Sequence, residues 1–251
     1  MVAAYYSALK KKPVAAVLCG EGTSSSAVGE LWYFFEKDLN YPVTLINTDD
    51  AERADLSEYD VILLTSGSYT KLKDTLLDFV KKGGRVIAME SAISVFSGEK
   101  TTSLFKAMET KAAEDKAAEK KEKSTDPKLL KKFELESERR YSLSERSAGS
   151  IYKITIDDTN PYAFGLGTEW FLMKRTAGYP YLKSGYNIGY ILDKEPVAGF
   201  AGFKFKDKIQ NTLVIGSERI GSGEVVYITD DPYFRGFWKS GRVLLGNVIL
   251  R

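Results

Sequence analysis

Residues 83–96 read Gly-Gly-Arg-Val-Ile-Ala-Met-Glu-Ser-Ala-Ile-Ser-Val-Phe. The Gly83-Gly84 pair is typical of a turn, and it leads into the short apolar run Val86–Met89, which has the length of a buried strand. The pattern changes at Glu90-Ser91 into that of a helix start, with Ser91 as a suitable N-cap. This stretch therefore predicts a strand, a sharp turn and a helix, and the rest of the chain is arranged around it.

The turn at Glu90-Ser91 has the position of a nucleophile in many hydrolases. Such a turn lifts one side chain above the sheet, beside a helix N-terminus that can stabilise an oxyanion. Here the turn offers a glutamate and a serine instead of a cysteine, and the chain contains no histidine. Neither a Cys-His nor a Ser-His relay can be assembled from these residues. The sequence thus predicts the geometry of an active site without its usual chemistry.

Strands and helices alternate over the first 96 residues. The apolar run Val14–Cys19 ends in the Gly/Ser-rich turn Gly20–Ser26, as expected for a buried parallel strand that feeds a helix. Apolar residues then recur at helical spacing. The predicted elements are a helix over Ala27–Leu39, strands over Pro42–Ile46 and Tyr59–Thr65, and a helix over Leu72–Val80. This order favours an α/β fold, flavodoxin-like and doubly wound, with a mostly parallel sheet.

The alternation ends near residue 99. Residues 99–138 are rich in Lys, Glu and Ala and have almost no apolar face, which predicts an exposed, charged helical insertion. The second half is richer in strand patterns, and a helix is expected over Phe234–Leu250. The predicted strands are Ile151–Ile156, Tyr186–Leu192, Val197–Phe205, Thr212–Ile215 and Val225–Thr229. We interpret residues 1–251 as a single domain with a β-rich C-terminal half.

Composition excludes several classes of protein. The net charge of +2 and the absence of a compact basic cluster argue against nucleic acid binding. A single cysteine, Cys19, excludes an internal disulfide and a Cys-rich metal site, and no cofactor is expected. No window approaches 18 apolar residues, so no membrane span is predicted. In Met1–Pro13 the charges follow the apolar part, which is unlike a signal peptide.

Polar residues follow each predicted parallel strand, and ligands of open α/β sheets bind at the edge where those strands end. The candidate pocket residues are Cys19, Glu21, Ser24, Ser66, Ser68, Glu90, Ser91, Asp230, Asp231 and Arg235. Cys19 is more simply explained as a core residue, since no imidazole can activate it. Glu21 and Glu90 form either an acid/base pair or capping and ion-pairing groups. Asp230, Asp231 and Arg235 belong either to this pocket or to the turn and N-cap of the last helix.

Several stretches resemble a known family. The chain is similar to the C-terminal domain of bacterial zinc carboxypeptidase-like proteins, chiefly from Bacteroidetes, a domain similar in fold to class I glutamine amidotransferases. The stretches that carry the resemblance are Gly20–Glu36, Tyr41–Thr44, Gly83-Gly84, Glu138–Arg140, Asn160–Gly165 and Gly223–Trp238. The zinc ligands of the peptidase domain are not part of this sequence, so metal chemistry does not carry over.

The resemblance implies a non-catalytic accessory domain that binds or scaffolds, with a carboxypeptidase-like domain as its partner. In the pocket at the strand ends, a small polar molecule or ordered solvent is expected. The resemblance also implies an exported or periplasmic location, although this sequence shows no signal peptide. The alternative is a hydrolase that uses Glu90 or Ser91 together with carboxylates such as Glu21 and Asp230.

Overall fold

The computed structural model describes residues 12–122 and 143–251. Nine strands and six helices lie in these residues. The strands are β1 Ala15–Cys19, β2 Val43–Asn47, β3 Val61–Leu64, β4 Arg85–Met89, β5 Ser150–Ile156, β6 Glu169–Lys174, β7 Tyr186–Ile191, β8 Thr212–Ile220 and β9 Gly223–Ile228. The helices are α1 Ser25–Tyr33, α2 Lys73–Lys81, α3 Ser94–Ser97, α4 Ser103–Glu122, α5 Phe203–Ile209 and α6 Lys239–Leu250.

The strands form one mixed sheet in the order β2-β1-β3-β4-β9-β8-β7-β5-β6. The first five in this order are parallel, and the remaining pairings are antiparallel. The parallel part has the strand order of flavodoxin-like folds, with β9 as its fifth strand. This confirms the prediction of an α/β, doubly wound core, and it places β4 near the centre of the sheet.

Both faces of the sheet are covered, which is the reason that β3 and β4 are apolar on both sides. Leu31 of α1, Ile209 of α5 and Leu244 of α6 belong to the apolar cluster on one face. Leu76 of α2 and Leu104 of α4 belong to the cluster on the other face, which α3 also joins. The protein therefore has three layers, and the loops at the strand ends remain as the exposed polar edges.

The Gly83-Gly84 turn is explained by the packing of α2 against β4. Gly83 has a φ of +118°, a conformation that side chains with a Cβ rarely adopt. A Cβ on Gly84 would overlap the ring of Phe79. The two glycines therefore allow the end of α2 to return directly into the central strand.

The strands of the C-terminal half differ from the prediction in two places. β6 was not predicted, because its apolar residues Trp170, Phe171, Leu172 and Met173 do not alternate with polar ones. The strand predicted over Val197–Phe205 is wrong. Only isolated bridges occur there, at Ala198 and Ala201, and α5 begins at Phe203.

The predicted insertion over residues 99–138 begins inside the core. Thr102, Ser103 and Leu104 are buried, and the carboxylate of Glu218 accepts the backbone N–H groups of Ser103 at 2.6 Å and Leu104 at 3.4 Å. The N-terminus of α4 is thus fixed by the negative charge of Glu218, which also interacts favourably with the positive end of the helix dipole. Beyond this first turn most side chains are exposed as far as residue 115, and residues 123–138 lie outside the described part of the chain.

Two predicted helix starts are also corrected. The helical turn after β4 begins at Glu90, and Ser91 does not cap it, because its hydroxyl is bonded to Gly67 instead. The last helix begins at Lys239 and not at Phe234. Phe234–Gly236 is a separate 3₁₀ turn in which Arg235 has a φ of 52°, so the chain bends between β9 and α6.

Among the described residues, no helix is both long and apolar enough to cross a membrane.

Candidate functional site at the carboxyl edge of the sheet

Glu90 occupies the sharp turn at the end of β4. Its φ is +51°, a left-handed conformation that is uncommon for residues other than glycine. Holding a non-glycine residue there costs about 1–3 kcal/mol, which the surrounding structure must offset. The chain passes directly from the strand into the 3₁₀ turn Glu90–Ile93 and then into α3. The geometry is that of a nucleophile turn, with a carboxylate at the position of the nucleophile.

The carboxylate of Glu90 is partly buried and paired with an arginine. Arg175, just after β6, donates from Nη2 to Glu90 Oε1 at 2.8 Å. Burial raises the pKa of Glu90, the charges of Asp231 and Asp230 raise it further, and the charge of Arg175 acts in the opposite direction. Glu90 is therefore harder to ionise than an exposed glutamate.

Asp230 lies next to this pair and is buried with Lys174. Their side chains are 3% and 0% exposed, and the ammonium group contacts both Asp230 Oδ2 and Thr229 Oγ1. The other carboxylate oxygen of Asp230 accepts the backbone N–H of Arg175 at 3.1 Å. A buried ion pair of this kind joins the ends of β6 and β9, and it holds the backbone from which Arg175 reaches Glu90.

Asp231 faces a second carboxylate, that of Glu30 on α1. Both side chains line the same cleft, and the neighbouring carboxylate disfavours the ionised form of Asp231. Burial, followed by the bond to Glu30 and its charge, raises the pKa of Asp231 to about 7. Glu30 Oε1 also accepts the backbone N–H of Arg235 at 3.1 Å. The exposed side chain of Arg235 stacks on Phe234, as does that of Arg175.

The candidate serines join the loops to each other. Ser91 Oγ accepts the backbone N–H of Gly67 at 2.8 Å and contacts Ser66 Oγ at 3.1 Å. Ser24 is the N-cap of α1, and its backbone N–H donates to the carbonyl of Ser66. Because their polar atoms are bonded within the protein, these residues shape the edge and are poorly placed to attack a substrate.

Glu21 and Ser68 lie at the same edge but line a separate cavity. That cavity has a volume of 290 Å³. It lies toward β2, on the far side of the loops that the hydrogen bonds of Ser24, Ser66 and Ser91 join. Cys19 is partly buried, packs against the core and donates from Sγ to the carbonyl of Ile46 at 3.5 Å. The structure thus separates Glu21, Ser68 and Cys19 from the other candidates. It brings together the remaining seven, which are Ser24, Ser66, Glu90, Ser91, Asp230, Asp231 and Arg235.

The cleft beside Glu90 is narrow. Its volume is about 10 Å³, room for about one water molecule. Its polar lining consists of Glu30, Thr65, Ser66, Glu90 and Asp231, with Leu31, Met89 and Leu245 as apolar neighbours. A larger molecule would have to bind above this cleft, against the exposed parts of Glu90, Arg175 and Arg235. Within the described residues, no group of three or more His, Cys, Asp and Glu side chains is placed to hold a metal ion.

Three important residues of the site were missed from the sequence. Lys174 and Arg175 end a strand that was not predicted, and Glu30 belongs to the polar face of α1. The signal that indicates Lys174 is its position in β6, where Trp170, Leu172 and Lys174 share the buried face. A lysine in such a row requires a buried acidic partner.

The Glu30–Asp231 pair predicts a pH dependence of stability. The folded chain holds a proton on Asp231 up to about pH 7, whereas the unfolded chain releases it near the ordinary pKa. The folded state binds more protons in that range, so this pair loses stabilising free energy as the pH rises. Asp231→Asn removes the titration, because the asparagine amide can donate to Glu30 at every pH. From about pH 5 to pH 8 we expect the stability of the variant to rise by about 1–2 kcal/mol relative to the unsubstituted protein.

Urea unfolding at the two pH values measures this change, and Asp158→Asn, in an exposed turn, is the matched control. An equal stability difference for Asp231→Asn at both pH values would contradict a raised pKa of Asp231.

Comparisons with known proteins agree on the fold. The chain is similar to a protein of Thermoplasma acidophilum described as a GMP synthase subunit, with a TM-score of 0.56 at 8% identity over 96% of this chain and 94% of that one. It is also similar to a protein of Parabacteroides merdae described as ThuA-like, with a TM-score of 0.54 at 11% identity over 95% and 89% of the two chains.

The fold is that of the class I glutamine amidotransferase-like proteins. A cytoplasmic protein of Salmonella typhimurium has a TM-score of 0.53 to this chain at 11% identity, over 94% of this chain and 97% of that one. No protein-family model matches the sequence, and no curated protein matches it. At these identities the likeness concerns the amidotransferase-like fold alone.

Proposed function

We propose that this amidotransferase-like chain is a binding domain without hydrolytic turnover, and that the edge around Glu90 is its ligand site. The observation that carries the proposal is the identity of the turn residue. A glutamate stands at the sharp turn after β4 in a left-handed conformation, and its carboxylate is paired with Arg175. A carboxylate in this position repels a developing oxyanion and has no imidazole to relay a proton.

The same geometry indicates the kind of ligand. Glu90 offers a carboxylate to an ammonium group, and Arg175, about half exposed, offers a guanidinium to a carboxylate. Phe234 holds the guanidinium groups of Arg175 and Arg235, which both lie over its ring. A small zwitterion with an amino and a carboxyl group, such as an amino acid, matches these groups.

A hydrolase remains the second candidate, and one observation favours it. Glu30 and Asp231 both line the cleft beside Glu90, and the pKa of Asp231 is raised to about 7. Neighbouring carboxyl groups of this kind are able to act as acid and base near neutral pH. This candidate requires a nucleophile or an activated water beside the pair.

Turnover assays separate the two candidates. We expect no hydrolysis of glutamine, esters, peptides or glycosides above the uncatalysed rate, for the protein or for Glu90→Gln and Ser91→Ala. In calorimetric titrations we expect L-glutamine to bind and glutarate, which lacks the ammonium group, to bind at least about tenfold more weakly. Glu90→Gln should weaken L-glutamine binding by about tenfold or more, while Glu21→Gln, at the separate cavity, should leave it unchanged.

Two results would overturn the proposal. One is turnover that disappears in Glu90→Gln or Ser91→Ala. The other is L-glutamine binding that is absent, or that is unchanged in Glu90→Gln.

We also propose that the domain belongs to, or associates with, a zinc carboxypeptidase-like protein of an exported type. The resemblance of Gly20–Glu36 and Gly223–Trp238 to that family supports this. A coding sequence that joins this domain in frame to a peptidase domain with His and Glu zinc ligands is the expected finding. An unrelated genomic context and no binding to such a peptidase would count against it.

A further inference from the structure

A further cavity lies at the opposite edge of the sheet, where β4 and β9 begin. Its volume is 570 Å³, within the range of about 300–1,000 Å³ that is typical of small-molecule sites. Three guanidinium groups line it, those of Arg85, Arg219 and Arg251, together with two carboxylates, those of Asp157 and Glu224. None of these residues belongs to the edge around Glu90.

The strand register places the central charges in one row. Arg85 of β4 is paired with Glu224 of β9, and Glu224 is paired with Arg219 of β8. Paired residues on neighbouring strands point to the same face, so the three side chains lie side by side at spacings of about 4.8 Å. The row therefore has a positive charge on each side of one carboxylate.

Both carboxylates are engaged within the protein. Glu224 Oε2 accepts the hydroxyl of Tyr162 at 2.5 Å and lies 3.7 Å from Arg85 Nε. Asp157 Oδ1 accepts the backbone N–H and the hydroxyl of Thr159 at 3.1 and 2.6 Å. The exposed side chain of Arg219, in contrast, has no hydrogen bond, ion pair or ring contact with any described residue. Its guanidinium is thus available to an anion at the mouth of the cavity.

Two buried polar atoms in the lining also lack a hydrogen-bond partner among the described residues. Ser217 is 1% exposed and lies two residues before Arg219 on the same face of β8, yet its Oγ has no hydrogen bond among the described residues. The Nε of Arg85 is likewise buried without a hydrogen bond, because Glu224 is too distant. Unsatisfied buried groups are costly in a folded protein, and a ligand that bonds to them removes that cost.

An aromatic side chain completes the cavity. Tyr186 of β7 is directly opposite Ser217 and is 61% exposed, so its ring is free to stack on a flat group. Tyr162 is not available in this way, since the guanidinium groups of Arg85 and Arg251 lie over its ring at 5.6 and 5.8 Å.

We infer that this cavity binds a small anion that carries a flat ring. The anionic group is held by Arg219 with Ser217 Oγ and Arg85 Nε behind it, and the ring stacks on Tyr186. A planar guanidinium bonds equally well to a carboxylate and to a phosphate, often through two parallel hydrogen bonds. The shared chemistry is therefore an aromatic carboxylate or an aromatic phosphate ester, and this site is separate from the one proposed around Glu90.

The test is a calorimetric titration of the whole chain with phenyl phosphate, benzoate and benzyl alcohol. We expect at least one of the two anions to bind and the neutral alcohol not to bind. Preference for phenyl phosphate or for benzoate identifies the anionic group. Arg219→Gln should weaken binding by about tenfold or more, and because this side chain is exposed the variant should unfold at the same temperature as the unsubstituted protein.

Ser217→Ala provides a second variant. It removes a buried hydroxyl that has no partner, so binding should weaken without a loss of thermal stability. Arg53→Gln, which changes an exposed arginine far from β8 in the sequence, is the control and should leave binding unchanged. Failure of both anions to bind, equal binding of benzyl alcohol, or unchanged binding in Arg219→Gln would overturn the inference.

Discussion

Asp230→Asn should reduce the free energy of unfolding by about 3–5 kcal/mol, because it leaves the ammonium group of Lys174 buried without a counter-charge. The two side chains are almost completely buried, so water cannot replace the lost partner. The substitution keeps the shape of the side chain and an oxygen that can still accept from the backbone N–H of Arg175. The loss therefore reports the charge and not a change of packing.

A double variant separates the charge effect from other effects. Lys174→Met together with Asp230→Asn leaves no buried charge, and replacing a buried ion pair by groups of similar volume is often nearly neutral. We expect it to be more stable than Asp230→Asn alone. Glu169→Gln is the matched control, since Glu169 begins the same strand and pairs with Lys153 at 3.1 Å in an exposed position; its expected cost is below about 1 kcal/mol.

Urea unfolding followed by tryptophan fluorescence measures all of these variants. A cost for Asp230→Asn as small as that of Glu169→Gln would show that the Lys174–Asp230 pair does not stabilise the fold.

Gly241→Ala should be the second strongly destabilising substitution, with a loss of about 1–3 kcal/mol or more. Gly241 lies in the first turn of α6, and a Cβ there would overlap the carbonyl oxygen of Pro232 and lie 2.7 Å from its carbonyl carbon. The overlapping group is a backbone carbonyl, which cannot rotate away as a flexible side chain can. Either α6 or the loop that carries Asp231 must move.

Gly246→Ala, in the same helix, is the matched control. Apart from its chain neighbours and the backbone of its own helix, no described atom lies within 4 Å of a Cβ at that position, and alanine is a better helix former than glycine by about 1 kcal/mol. We expect Gly246→Ala to raise the melting temperature and Gly241→Ala to lower it. The same sign for both variants would show that the contact between α6 and Pro232 does not determine the effect.

The sequence was sufficient for the parallel part of the fold because each element there is defined locally. Val86–Met89 is short, apolar and bounded by a Gly-Gly turn, and its neighbours have the same form. The antiparallel part depends on pairing between strands that lie far apart in the sequence. Val197–Phe205 has the alternation of a strand, but Gly199 adopts a φ of +83° and side chains such as Phe200 and Phe203 are exposed, so tertiary contacts decide its conformation.

The candidate site was likewise predicted only in part. Glu90 and Asp231 follow from strand ends, and the structure places both beside one cleft. Their partners did not follow from the sequence, because Lys174 and Arg175 come from an antiparallel strand and Glu30 from the face of a helix. Pairings across the sheet decide which charges meet, and a pattern read along the chain contains no information about them.

The position of β9 between β4 and β8 has a consequence for how the protein is made. β9 is the last strand in the chain, yet it completes the parallel core by pairing with β4. Until residues 223–228 have left the ribosome, β4 is an edge of buried apolar residues with unpaired backbone groups, which is a site prone to association with other chains. The first four strands must therefore wait until β9 has been synthesised, and pairing over such a distance along the chain is slow. Over that interval the edge of β4 is open to association with other chains, a hazard that chaperones counter in cells.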